Sequence, residues 1–394
     1  MALEEQLLQE LRSSNAWGYL DTALSDGRAV EDGQQIFTES RYRVLYRSPS
    51  ASLIALRGRV SEDFAIDTIL SRYHKAYAIN HPPAPLVPVP SKDVARVRSI
   101  LKGLQYNKTV ARLVDSLSIV QMHKDITWLT GEAPESNIES RHSFHPDARK
   151  AAHWIVEQIE STGADCRLRN FLPGFTPNII CRYDGSENTD ALVLLSAHYD
   201  SRGSFGNTRA PGGDDDGSGT TSILAMARAI GQSGITFKSN VELCLFAGEE
   251  QGLLGSRAYA RELREVNADI TLMIQADMLA YHKPGEPPQL GLPDLIGTPE
   301  VAQLVSNISA LYSPELEVGF TPACCSDHQS FHEQGFAATQ VFERAGPIAD
   351  PMYHNSGDLS QREGYDFRQL KSIVKFATLL HAAGFDEPNY ITSD

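Results

Sequence analysis

Three stretches of this 394-residue chain are almost wholly apolar: ALVLLSA (191–197), NVELCLFA (240–247) and ITLMIQA (270–276). A strand that faces water on one side alternates apolar with polar residues, so unbroken runs like these belong to strands covered on both faces. Helical patterns at 217–231 and 254–265 separate them, and a fourth strand at 337–342 follows a helical run at 299–312. Further helices are predicted at 92–104, 108–130, 146–162 and 366–384, with strands near 165–171 and 177–183. Strands alternating with helices imply an α/β fold with a mostly parallel, doubly wound sheet and helices on both faces. Ligands of such sheets gather at the carboxyl ends of the strands.

Residues 1–80 read differently, as a small α+β domain with strands at 41–47 and 52–60 and a helix at 61–73 capped by Ser61. Between the two parts lies HPPAPLVPVP, with five prolines in ten positions, so residues 81–91 are predicted to be an extended linker and 92–394 the main domain. The formal net charge of −15 disfavours nucleic acid and anionic membrane as partners. No apolar run approaches the roughly 20 residues that span a bilayer. The opening MALEEQLLQEL carries acids where a secretory leader has a basic flank. The five cysteines, Cys166, Cys181, Cys244, Cys324 and Cys325, do not read as a disulfide framework, and composition leaves the compartment open.

After residue 190 the acids and histidines fall just beyond predicted strands. His198 and Asp200 close the first, two apart and so directed to one face. Asp214, Asp215 and Asp216 follow a Gly/Pro loop and open the next helix. Glu249 and Glu250 follow the second strand, Asp277 follows the third, and His354 lies in the irregular loop after the fourth. Taken singly these have ordinary readings: a helix N-cap for one member of the DDD run, a solvated pair for the two glutamates. Together they place several carboxylates and imidazoles on one sheet edge. That arrangement is costly without a cation, and an oxygen-plus-imidazole set suits zinc.

The order H-Y-D-S, G-G-D-D-D-G-S-G, G-E-E-Q-G-L-L-G-S, Q-A-D-M and then a late histidine resembles the M28 family of co-catalytic zinc aminopeptidases, over roughly residues 108–386. The resemblance implies two zinc ions per chain. His198 and Asp277 would be the terminal ligands of one, Glu250 and His354 those of the other, with Asp215 bridging both. It also implies that Asp200 orients the His198 imidazole and that Glu249 is the general base. Asp214 and Asp216 are left with loop or cap roles.

By the same resemblance the partners are peptides with a free N-terminus, and the protein is expected to be secreted, with a cytoplasmic or vacuolar location as the alternative. Met278, Cys325, Phe342 and Tyr353 match positions lining an apolar side-chain pocket, which favours large hydrophobic N-terminal residues such as leucine. The chain departs from related bacterial enzymes in Thr321–His328 (TPACCSDH). Ala323 stands where they carry a tyrosine, and the partner of Cys325 has moved to the adjacent Cys324, leaving a vicinal bridge and separate thiols both open. Two other functions fit the same sequence class: a single-zinc glutaminyl cyclase, and a catalytically inactive binding homologue. The complete ligand set argues against both.

Overall fold

The computed structural model describes residues 42–47, 52–56, 86–204, 206–323, 325–373 and 375–388. In the N-terminal part, β1 (Tyr42–Arg47) and β2 (Ser52–Leu56) pair antiparallel, while the helix expected at 61–73 lies outside the described residues. Residues 86–90 form neither helix nor strand, and the Val87 amide donates to the Glu333 carbonyl.

Four helices come next: α1 (Ser91–Gly103), α2 (Lys108–Asp115), α3 (Ile119–Leu129) and α4 (Pro146–Glu160). The single helix expected over 108–130 is thus two. Asn107 caps α2 through Thr109 and Val110, and Ser118 caps α3 through Gln121, so a second start signal interrupts the run. Strands β3 (Asp165–Arg169), β4 (Asn178–Tyr183) and β5 (Leu192–His198) lead into α5 (Gly217–Ser233). The short β6 (Thr236–Phe237), then β7 (Asn240–Phe246), α6 (Leu254–Glu265) and β8 (Ile270–Ala276) follow.

Strand β9 (Gln289–Pro293), α7 (Pro299–Tyr312) and β10 (Glu317–Thr321) precede α8 (His328–Glu333) and β11 (Ala338–Val341). β9 and β10 form a separate parallel pair that the sequence pattern did not reveal, because β10 leaves Val318 and Phe320 exposed and has no buried stripe. The C-terminal helix expected at 366–384 is again two, α9 (Phe367–Ile373) and α10 (Phe376–Ala383).

The main sheet has six strands in the order β11-β8-β5-β7-β4-β3. Pairs β11/β8, β8/β5 and β5/β7 are parallel, whereas β7/β4 and β4/β3 are antiparallel. The sheet is therefore mixed, with its parallel strands at one side. Every residue of β5, β7 and β8 is buried, as their composition requires. Alternate residues serve opposite faces: Val193, Leu195 and Ala197 join one apolar cluster with α3, α4 and α5, while Leu192 and Leu194 join another with Tyr259 of α6 and Phe331 of α8. Helices thus cover both faces.

One cysteine reading is corrected. Cys166 and Cys181 are directly opposed across β3 and β4, with Cα atoms 4.0 Å apart, and form a disulfide. Cys325 is also disulfide-bonded, and Cys244 is a buried thiol. Cys166 and Cys181 are 15 positions apart in sequence, so only the hairpin register, invisible in cysteine spacing, brings them together.

Candidate metal centre and active site

The carboxyl ends of β5, β7, β8 and β11 form one edge, and the predicted residues meet there. His198 is the last residue of β5, fully buried, and both its peptide groups are fixed: its N–H donates to Asp216 Oδ2 at 3.0 Å and its carbonyl accepts from Thr220 Oγ1 at 2.8 Å. Asp216 also caps α5 through the Gly219 amide and accepts from the Met278 amide. One buried carboxylate thereby ties the end of β5, the start of α5 and the exit of β8 together. This cap role was expected of the DDD run; the ties to His198 and Met278 were not.

Two donor groups result. His198, Asp215 and Asp277 form one, and Asp215, Glu250 and His354 the other, all buried. In the first, His198 Nε2 lies 3.3 Å from Asp215 Oδ1 and 3.8 Å from Asp277 Oδ1. In the second, His354 Nε2 lies 3.2 Å from Asp215 Oδ2 and 3.1 Å from Glu250 Oε2. Zinc–ligand bonds of 2.0–2.1 Å in tetrahedral geometry put neighbouring ligand atoms about 3.3 Å apart. Three of the observed separations lie within about 0.2 Å of that edge, and the His198–Asp277 separation is about 0.5 Å longer. The two oxygens of Asp215 turn to different histidines, and the Asp215–Asp216 peptide is cis.

The electrostatics point the same way. Burial alone would raise the Asp215 carboxyl, but His198 and His354 override it and hold it well below the usual carboxylate range. Burial opposes charge on both histidines, yet Asp216 and Glu249 raise His198 well above its ordinary value, and Glu250 and Asp215 raise His354. An excess of buried carboxylates thus draws positive charge to the two imidazoles, as a site built for cations would.

Around these groups lie their supports. His198 Nδ1 is 3.0 Å from the Asp200 carbonyl oxygen and 3.6 Å from its carboxylate, so the main chain of Asp200 orients the ring more closely than the side chain does. The Asp200 carboxylate instead accepts from Ser143 Oγ and from the amides of Glu249 and Glu250. Ser143 Oγ accepts in turn from the Gly248 amide. Asp200 and Ser143 together fix the turn that carries both glutamates. Glu249 is 4% exposed, precedes Glu250 in sequence and acts electrostatically on His198. On the far side of His354, Tyr353 stacks on the imidazole at 3.8 Å and Arg202 Nη1 lies 3.1 Å from Nδ1.

Of the expected pocket residues, Met278, Phe342 and Tyr353 form one apolar cluster against which Ala323 and Ile348 pack. Cys325 is half-buried on the segment that carries Ala323 and is not among the cluster's members. Met278, Cys325 and His354 all have positive φ, at 52°, 84° and 50°. Backbone of this kind in non-glycine residues concentrates at functional sites.

Sequence reasoning missed several buried polar groups behind the site. Asp327 and His328 are fully buried, and burial pushes the Asp327 carboxyl up to about 7. They belong to the TPACCSDH segment, whose cysteines drew attention from its Asp-His pair. Glu343 is held well above the usual range by burial and by Asp214. Arg141, Ser143 and Asp358 stood in segments with no periodic signal.

A mixed sheet with two adjoining carboxylate–imidazole groups at its strand ends defines a metal-dependent hydrolase. The family model of Peptidase family M28 matches residues 178–375, and the chain belongs to that family. It is a zinc-dependent aminopeptidase. Leucine aminopeptidase 1 of Chaetomium globosum is 30% identical over 303 residues, covering 72% of this chain and 71% of that protein. Leucine aminopeptidase 1 of Sclerotinia sclerotiorum is 30% identical over 275 residues, 64% of this chain and 68% of the relative. Among solved structures, the LapA aminopeptidase of Legionella pneumophila superposes with a TM-score of 0.67 at 19% identity, covering 87% of this chain and 94% of LapA. A Fimbriiglobus ruber glutaminyl cyclase shares the fold with a TM-score of 0.56 at 17% identity, covering 68% of this chain and 95% of the cyclase. Among the described residues no helix is long and apolar enough to cross a membrane.

Proposed function

We propose that this aminopeptidase releases large hydrophobic, leucine-like residues from peptide N-termini, using two zinc ions. His198 and Asp277 would hold one, Glu250 and His354 the other, and Asp215 both. The observation that carries this reading is the position of Asp215, whose two carboxylate oxygens face His198 at 3.3 Å and His354 at 3.2 Å. Zinc held there supplies Lewis acidity and makes water a nucleophile near neutral pH.

The chain's own groups do the rest. Glu249 is the general base: buried, next in sequence to Glu250 and close enough to His198 to act on its charge, it takes the proton of the attacking water and returns it to the leaving amine. Asp200 and Ser143 keep the Gly248–Glu250 turn in place. The cluster of Met278, Phe342 and Tyr353, against which Ala323 packs, receives the side chain of the departing residue. A single-zinc glutaminyl cyclase would need one donor group, and the second group with its shared aspartate speaks against that reading. We place the enzyme outside the cytosol; the Cys166–Cys181 disulfide supports an oxidising compartment.

Hydrolysis of leucyl-p-nitroanilide, N-acetyl-leucyl-p-nitroanilide and a panel of other aminoacyl anilides tests the reading. Turnover is expected for the free amine only, highest for leucine, methionine and phenylalanine. Equal cleavage of the blocked substrate, or a preference for charged residues, would contradict it.

A further inference from the structure

The segment that presents Asp215 is Ala210-Pro211-Gly212-Gly213-Asp214-Asp215. Two consecutive glycines give it little shape of its own, and Gly212 has φ of +55°. It is nevertheless wholly buried, so each of its peptide groups needs a partner. Ser201, Ser218 and Tyr365 hydroxyls take the carbonyls of Ala210, Asp214 and Gly213, and two charged residues on opposite sides supply much of the rest.

Arg141 is fully buried just before α4. Its guanidinium donates to main-chain carbonyls: Nη1 to Pro211 and to Leu129 (3.0 Å), Nη2 to Gly212 at 2.7 Å, Nε to Tyr199 at 2.9 Å. A buried guanidinium satisfied by carbonyls still needs negative charge nearby, and Asp358, Asp216 and Asp200 supply it. Asp358, 1% exposed, works on the amides. Its carboxylate accepts from Asp214 N at 3.0 Å and Asp215 N at 3.0 Å, and its own carbonyl accepts from Gly213 N at 2.7 Å. Arg362 donates to Asp358 from behind at 3.0 Å. The glycines are required by this squeeze. A Cβ on Gly212 would lie 2.4 Å from the Ser201 Cβ and 3.0 Å from Arg141 Nη2, and one on Gly213 would lie 2.7 Å from the Leu359 main chain.

We infer that Arg141 and Asp358 are a pair of positioning residues, a cation binding the carbonyls and an anion binding the amides of the Pro211–Asp215 loop, which set Asp215 in its shared-ligand geometry before metal arrives. The inference rests on the reading of Asp215 as a ligand to both zinc ions. Both side chains act through the main chain of the loop, Arg141 at Pro211 and Gly212 and Asp358 at Asp214 and Asp215. Their loss should therefore weaken zinc binding without removing any ligand.

Zinc affinity of the full chain, measured by competition with a chromogenic chelator, tests this on Asp358→Asn and Arg141→Lys. The asparagine is isosteric but turns an N–H toward an N–H; the lysine keeps the charge but cannot span four carbonyls. Each is expected to weaken zinc about 10- to 100-fold and to alter the visible spectrum of the cobalt-substituted protein, while the metal-free form still melts cooperatively. Asp125→Asn is the control. It breaks the ion pair of Asp125 with Arg228, away from the loop, and should lower the melting temperature with zinc affinity unchanged. Where Arg141→Lys fails to fold, Asp358→Asn carries the test alone. Wild-type affinity and cobalt spectrum in Asp358→Asn would overturn the positioning role. A wild-type chain whose zinc content is indifferent to Asp215→Asn would instead overturn the shared-ligand reading beneath it.

Discussion

The two donor groups are built in contrasting ways. His198 and Asp277 sit on or next to adjacent parallel strands, with the peptide of His198 fixed at both ends and the Asp277 amide donating to the Val341 carbonyl of β11. Glu250 and His354 stand on loops. Glu250 follows β7 in a turn braced by Asp200 at 3.4 Å, and His354 occupies a long irregular stretch at φ of +50°. That stretch is joined to the 203–209 loop mainly through Ser204 and Ser356. One half of the site inherits the rigidity of the sheet, and the other depends on loop contacts. On the proposed two-metal reading, the strand-held group should hold its ion more tightly than the loop-held one.

The largest expected effect tests whether the halves work as one centre. If Glu249 is the general base proposed above, Glu249→Gln should retain zinc yet lose about 10²–10⁴-fold in kcat on leucyl-p-nitroanilide. Substantial turnover would remove Glu249 from that role. Next comes the inequality itself. Graded chelation should release zinc in two phases, and His354→Ala should keep the tighter ion while His198→Ala loses it, read by metal analysis after dialysis. Equal retention by the two variants would break the distinction. A smaller effect is expected of Ser143→Ala, which removes the hydroxyl linking Asp200 to Gly248. We expect a roughly tenfold fall in kcat/KM with zinc retained.

The smallest effect on activity is expected of a buried charge that belongs to neither half. Burial pulls the Lys375 amine down to about 7 from its ordinary 10.5, against the weaker influence of Glu315. Between those values the unfolded chain binds more protons than the folded one, so stability rises with pH from about 7 toward 10.5. Lys375→Met should therefore stabilise the protein by a few kcal/mol at pH 6 and progressively less toward pH 10, by thermal melting, with zinc content unchanged. A gain that is constant with pH would contradict the buried cation.

The same contrast explains what the sequence made legible. The strand-held donors follow unbroken apolar runs, so position alone singles out His198 and Asp277 once the strands are recognised. Asp215 and the glutamates needed their neighbours in the motif. His354 is marked by no periodicity, and only the order of motifs picks it out. Arg141, Ser143 and Asp358 were not legible, because hydrogen bonds to a loop backbone leave no pattern in side-chain type. The splits at Ser116–Ser118 and near Lys375 were hidden by apolar spacing that continues across both breaks. The β9/β10 pair escaped because β9 is short and wholly buried while β10 is mostly exposed, so neither strand shows an alternating stripe.

The account turns on one carboxylate serving two metal groups. The most direct test is the zinc-to-protein ratio of the full chain after exhaustive dialysis, with Asp215→Asn measured alongside. The shared-ligand geometry predicts about two zinc ions per wild-type chain and a loss affecting both in the variant. A ratio near one in the wild type, left unchanged by Asp215→Asn, would contradict it.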